Sequence, residues 1–132
     1  MQRFLNALQP GTYLRPHRHL RGGTGSGFEC FVVLQGAIGL LLLDEGGDVI
    51  DRERLEASGS LKGIELAEGQ IHTLVALSPD TVMLELKQGA DEPASDKDFL
   101  PQFPREGTPE AATLERQWQS LFRHDCPSAV GV

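Results

Sequence analysis

No stretch of this sequence is long and apolar enough to cross a membrane as a helix. Such a span needs about 20 apolar residues in a row, and the longest run here, Ala37–Leu43, is strand-sized and contains Gly39. The opening residues, MQRFLNALQP, carry one positive charge and no useful apolar core, so no secretory signal is expected and cytoplasmic residence is. Basic clusters are missing as well. Twelve Lys and Arg stand against nineteen Asp and Glu, a formal net charge of −7. Neutralising phosphates needs clustered cations, so nucleic acid is excluded as an expected partner. Cysteine is scarce: Cys30 and Cys126 lie far apart without CxxC spacing and read as two free thiols of a reducing compartment. The glycine-rich RGGTGSG at 21–27 lacks the GxxxxGK[ST] pattern of a phosphate loop, and no helix follows it. It reads as a loop at the mouth of the fold.

The chain has 132 residues, of which 39% are hydrophobic, enough for one domain with an ordinary core. From Tyr13 to Leu86, β-branched residues and apolar alternation dominate, broken by glycine-containing turns. FECFVVLQG (28–36) reads as a strand. AIGLLLLDEGGDVIDRERL reads as a hairpin turning at Asp44–Gly47. GIELAEGQIHTLVAL reads as strand, tight turn at Glu68–Gly69, strand, and TVMLELKQG as a further strand. Short strands at this spacing, with no helix-period segment between them, predict an antiparallel sandwich or barrel. After an irregular, proline-rich excursion from Asp91, the spacing of Ala112, Leu114, Trp118 and Leu121 predicts a helix over 109–122. Residues 1–108 are thus assigned to the barrel, and 109–132 to a helix and tail of the same domain.

Side chains two apart on a strand point to the same face. In PHRH that rule sets His17 beside His19, and it extends the same row back to Arg15 and Tyr13. Tyr, Arg, His and His fill a dry core poorly but line a wet pocket well. Glu29 begins the next strand and His72 follows a tight turn, so three imidazoles and a carboxylate are candidates for one metal site. Such a donor set suits Zn, Ni, Fe, Mn or Co and leaves positions open for water or substrate. Cys30 should face away from Glu29, and His124 near the C-terminus is not expected to ligate. In TVMLELKQG, Met83, Glu85 and Lys87 share one face. Either they are solvated outside, or Glu85 and Lys87 line the same pocket, because charges facing inward need partners or a ligand. An inward Arg15 would match an anionic group of a substrate. Leu40–Leu43 are apolar on both faces, so the outer one is expected to pack against a second chain in a homodimer, or under the C-terminal helix with Trp118.

These residues carry a pattern. The first cupin motif, G(x)5HxH(x)3–4E(x)6G, is matched at Gly11, His17, His19, Glu29 and Gly36, with nine residues instead of three or four before Glu29. The second is matched at Gly69 and His72, while Ala67 and Ala76 replace its proline and asparagine. RFLNALQPGTYLRPHRH, ECFVVLQG, GIELAEGQIHTLVAL, LELKQG and DEPASDKDFLPQF together resemble the WbuC family of cupin-fold metalloproteins, as far as Pro104. Members of that family carry a further segment ahead of the one matching Gln2. The resemblance implies an all-β, cupin-type jelly-roll barrel, to which the C-terminal helix is added. It also implies a sugar or nucleotide-sugar ligand in polysaccharide or O-antigen biosynthesis. Three functions are compatible with a metal in such a barrel: a carbohydrate isomerase or epimerase, an oxygenase, and a non-catalytic sugar-binding module. In the first, Glu85 or Lys87 would move the proton and Tyr13 and Arg15 would bind substrate.

Overall fold

The computed structural model describes residues 1–19, 28–88 and 98–123. Nine strands and one helix are found among them: β1 (Gln2–Leu8), β2 (His17–Arg18), β3 (Glu29–Gln35), β4 (Ala37–Leu43), β5 (Val49–Glu56), β6 (Gly63–Leu66), β7 (Ile71–Ala76), β8 (Thr81–Lys87), β9 (Asp98–Phe99) and α1 (Pro109–Ser120). They build two antiparallel sheets, ordered β1-β8-β3-β6 and β5-β4-β7-β2-β9. The hairpin expected at Asp44–Gly47 is β4–β5. The turn at Glu68–Gly69 does not make a hairpin: it carries the chain from β6 in one sheet to β7 in the other. Gly69 has φ +87, a conformation other residues adopt with strain. Its N–H donates to the carbonyl of His19 (3.1 Å), which ties this turn to the second histidine.

The sheets face each other across one apolar core. Phe31 and Val33 on β3, Ile38 and Leu40 on β4, Leu74 on β7 and Met83 on β8 meet there, each at most 4% exposed. A second core lies outside the five-stranded sheet, under α1. Leu41, Leu43, Ile71 and Val75 present that sheet's outer face to Ala111, Trp118 and Phe122. Thr108 caps the helix by accepting from the Ala111 N–H (3.1 Å), Pro109 occupies its first turn, and Glu110 complements the N-terminal end of the dipole. Buried Glu115 accepts from the Gly11 N–H (3.1 Å) and Gln119 (2.8 Å), anchoring the helix to the turn after β1.

This second core corrects two expectations. The outer face of β4 is covered within the chain, so Leu40–Leu43 give no reason for a dimer there. Tyr13, assigned to the pocket row, is instead buried under the helix. Its ring stacks on Trp118 (5.6 Å between centroids, 4° between planes) and its hydroxyl donates to the Pro104 carbonyl (2.7 Å). The physical reason is that residues 12–16 are not strand: β2 begins only at His17, so the two-residue period cannot be carried back to Tyr13.

Gly39 on β4 lies against Phe122, just past the end of α1. A Cβ built there would lie 2.4–2.6 Å from the Phe122 ring. Gly39→Ala is therefore expected to lower stability by about 1–3 kcal/mol, the range for overpacking. Urea unfolding followed by Trp118 fluorescence reads this as a shift of the midpoint at unchanged slope.

Candidate metal centre

The site forms where inward rows of the two sheets meet. His17 on β2 lies opposite His72 on β7 in register, and His19 follows just beyond the end of β2. From the other sheet come Glu29 on β3 and Glu85 on β8, the latter two residues on from core Met83. His17, His19, Glu29 and His72 are 7%, 6%, 4% and 3% exposed, respectively. A buried cluster of this polarity needs internal partners.

Part of that need is met by the backbone. Nδ1 of His17 lies 2.9 Å from the Arg15 carbonyl, and Nδ1 of His72 lies 2.8 Å from the Gln70 carbonyl. A carbonyl only accepts, so Nδ1 carries the proton in both rings. Nε2 is then left as the atom able to offer a lone pair, an arrangement typical of metal-ligating histidine. Nε2 of His72 lies 2.7 Å from Glu29 Oε1, and Nε2 of His19 lies 2.9 Å from Glu29 Oε2. Neither approach has the alignment of a hydrogen bond, and both carboxylate oxygens are fully buried without one. The ligand atoms of His17, His19 and His72 lie within 4.8 Å of one another, as do those of His19, Glu29 and Glu85. The residues present thus fit a divalent cation.

Electrostatics separates the two carboxylates. Burial pushes Glu29 up, but the closeness of His19 and His72, and of Glu85 after them, outweighs this and holds it well below the usual carboxylate range. Glu85 moves the other way, pushed up to about 7 by burial and then by the closeness and charge of Glu29. Lys87 and Asn6 oppose that rise. The two neighbours are thus pushed in opposite directions, Glu29 toward its ionised form and Glu85 toward its protonated one. Burial, with the charge of Glu65 second, raises the Cys30 thiol, so it is no thiolate ligand.

Beside these residues lies a cavity of about 100 Å³, walled by Asn6, Leu14, His17, Glu29, His72 and Glu85 together with apolar core side chains. Lys87 is buried on the same inward face as Glu85, with its ammonium 5.1 Å from the Phe4 ring centroid, but it does not wall the cavity. Arg15 departs from the expected row. Its Nη2 donates to the Leu100 carbonyl (3.2 Å) and its guanidinium carbon sits 5.4 Å from the centre of the Phe99 ring, so it braces the segment around β9 and is absent from the cavity wall. The irregular backbone before β2 that displaces Tyr13 also turns Arg15 away. His124, Cys126 and the RGGTGSG loop lie outside the described residues.

Asn6 was not foreseen. It comes from β1, an edge strand of the first sheet, and its Nδ2 donates to Glu85 Oε1 (3.1 Å). No alternation marks QRFLNAL as a strand, because apolar and polar residues fall on both of its faces. The feature that finds it is its full-length register with β8, which pairs Gln2 with Lys87 and Leu8 with Thr81.

A family profile described as a domain of unknown function (DUF6016) matches residues 1–55. No curated protein matches the sequence. Solved structures do. The capsular polysaccharide assembling protein CapF from Staphylococcus aureus shares 22% identity at a TM-score of 0.62, over 75% of this chain and 28% of its own. NovW, a 4-keto-6-deoxy sugar epimerase from the novobiocin gene cluster of Streptomyces spheroides, shares 21% at a TM-score of 0.62, over 85% of this chain and 55% of its own. Oxalate decarboxylase from Bacillus subtilis shares 16% at a TM-score of 0.57, over 74% and 23%. The chain thus spans between about a quarter and about half of these proteins. Together with the two facing antiparallel sheets, the likeness establishes the cupin-type jelly roll as the fold.

Two outcomes follow from the site geometry. Replacing His17, His19 or His72 with Ala should each lower bound metal at least tenfold in elemental analysis of untagged protein. Full occupancy in His72→Ala would contradict the ligand set. In metal-free protein, the stability contributed by protonated Glu85 is fully present below about 4.5 and is lost as pH rises through about 7. Glu85→Gln, which never ionises, should accordingly match the parent near pH 4.5 and exceed its melting temperature at pH 8.

Proposed function

We propose that this chain is a metal-dependent cupin of the WbuC type that binds a small polar or anionic carbohydrate at its metal and moves a proton on it, as in isomerisation or epimerisation. One observation carries the reading: three imidazoles, two of them fixed by backbone carbonyls, converge with a buried carboxylate whose oxygens make no other hydrogen bond. A divalent ion bound there (Zn, Ni, Fe, Mn or Co on donor chemistry) supplies Lewis acidity that polarises a carbonyl or hydroxyl of the ligand. The chain's own groups have separate tasks. The Arg15 and Gln70 carbonyls hold His17 and His72 in the ligating tautomer, and Glu29 contributes charge to the site. Glu85, with a pKa of about 7, exchanges a proton on the cavity side, and Asn6 fixes one of its oxygens. Buried Lys87 stabilises the ionised form of Glu85 from behind. Tyr13 and Arg15 have no part in binding substrate in this reading.

The reading draws support from neighbours whose names state an epimerase and a capsular polysaccharide assembling protein. Cavity size limits it. Pockets for small molecules usually hold about 300–1,000 Å³, and this one holds about 100 Å³. Only the reacting end of a sugar enters such a space, with any nucleotide outside it. The same volume favours a second reading, in which the metal holds a compact organic acid; oxalate decarboxylase is among the proteins sharing the fold.

Calorimetric titration of metal-loaded protein with sugar acids, sugar phosphates and short dicarboxylates tests both readings. Saturable binding that needs the metal is expected, and its preference between the sugar and dicarboxylate sets decides which reading holds. For a ligand that turns over, Glu85→Gln should lower kcat by about 10²–10⁴, the usual worth of a proton-transferring group, with little change in affinity. Absence of metal-dependent binding across the whole panel would overturn the proposal.

A further inference from the structure

The outer face of the four-stranded sheet is apolar, and among the described residues no helix packs on it. Because Glu29, Phe31, Met83 and Glu85 point into the fold, the alternate positions on β3 and β8 point out. Register aligns them in rows across the sheet. One row runs Arg3, Leu86, Cys30, Glu65 from β1 to β6, and the next runs Leu5, Leu84, Val32, Gly63. Leu5 is 69% exposed, and Leu34 further along β3 is 53% exposed. An antiparallel sheet with a solvated outer face ordinarily alternates polar with apolar residues, and an apolar face of this extent marks a contact surface.

We infer that this face packs against the same face of a second copy of the chain, around a two-fold axis that runs along the strands between β8 and β3. Such an axis exchanges the two edges of the sheet while keeping each row opposite itself. Arg3 of one protomer then meets Glu65 of its partner, and Leu5 lies over Gly63, which has no side chain to occupy the space. Leu84 meets Val32, and Leu86 meets the smaller Cys30. Within one chain, Arg3 and Glu65 stand at opposite edges, three strand spacings or about 14 Å apart, and both are exposed. Their opposite charges are placed where the two-fold brings them together. The row Leu5, Leu84, Val32, Gly63 runs from long side chains to none, and the row Arg3, Leu86, Cys30, Glu65 carries opposite charges at its two ends, so each complements its own rotated copy, as an isologous interface must. Three strands of seven residues and one of four give a face of about 19 by 23 Å in projection at its widest. That projection is about 400 Å², roughly half of the ~800 Å² per partner that stable dimers bury, the rest falling to its corrugation and rims. This dimer does not involve the outer face of β4, which α1 covers.

Sedimentation equilibrium of the untagged chain at tens of micromolar tests the inference. A dimer is expected, and Leu84→Lys should make it monomeric while its circular dichroism stays that of the parent, since that side chain is directed outward. Arg3→Glu and Glu65→Arg should each weaken association at least tenfold, and the double reversal should restore it. A monomeric parent chain would overturn the inference. So would a dimer indifferent to Leu84→Lys, or a double reversal that fails to recover association.

Discussion

Burial of the Glu29 carboxylate among three imidazoles is the constraint around which the fold is arranged. Taking such a group out of water is expensive unless its charge is matched. Here both oxygens meet ring nitrogens at 2.7 and 2.9 Å without the alignment of a hydrogen bond. Two occupants resolve that meeting: protons on Nε2, or a cation among the four groups. Since Nδ1 of His72 is already committed to a carbonyl, the proton solution requires a charged ring there. The cation solution requires only neutral rings and releases protons as it forms. The five-stranded sheet supplies the histidines and the four-stranded sheet the carboxylate, so the centre also fastens the two layers to each other.

Legibility of this site in the sequence followed backbone regularity. Glu29, Glu85 and His72 lie on strands long enough for the two-residue period to hold, and the inward positions read from that period are inward in the structure. His17 and His19 were legible as an adjacent pair although β2 is only two residues long, because the spacing between them is short. Extending the period to Tyr13 and Arg15 failed, since the chain before β2 is irregular and turns those side chains toward α1 and β9. Asn6 was invisible for a different reason. The strand that bears it is apolar on its outer face as well, so alternation could not mark it.

Fold class was legible from strand length and spacing, down to the β4–β5 turn and a helix whose bounds, Pro109–Ser120, fall two residues short of the expected end. Which sheet each strand would join was not legible, because apolar faces alone do not say what covers them. Leu41 and Leu43 lie under Trp118 and Phe122, while the outer positions of β3 and β8, less conspicuous in the sequence, are left uncovered by any described helix. The same uncertainty limits reading a ligand from composition. An inward row of charged residues pointed to an anionic sugar, yet the cavity takes up only Glu85 of that row and holds about 100 Å³.

Nitrogen-15 correlation spectra of the imidazoles test the metal-ligand assignment most directly, because they report which ring nitrogens are protonated. His17 and His72 are expected to carry a proton on Nδ1 in metal-free protein. Adding one equivalent of zinc should leave those protons in place and move the Nε2 resonances of His17, His19 and His72 to metal-bound positions. Nε2 resonances that stay protonated after zinc is added, or zinc bound through Nδ1 of His17 or His72, would contradict it.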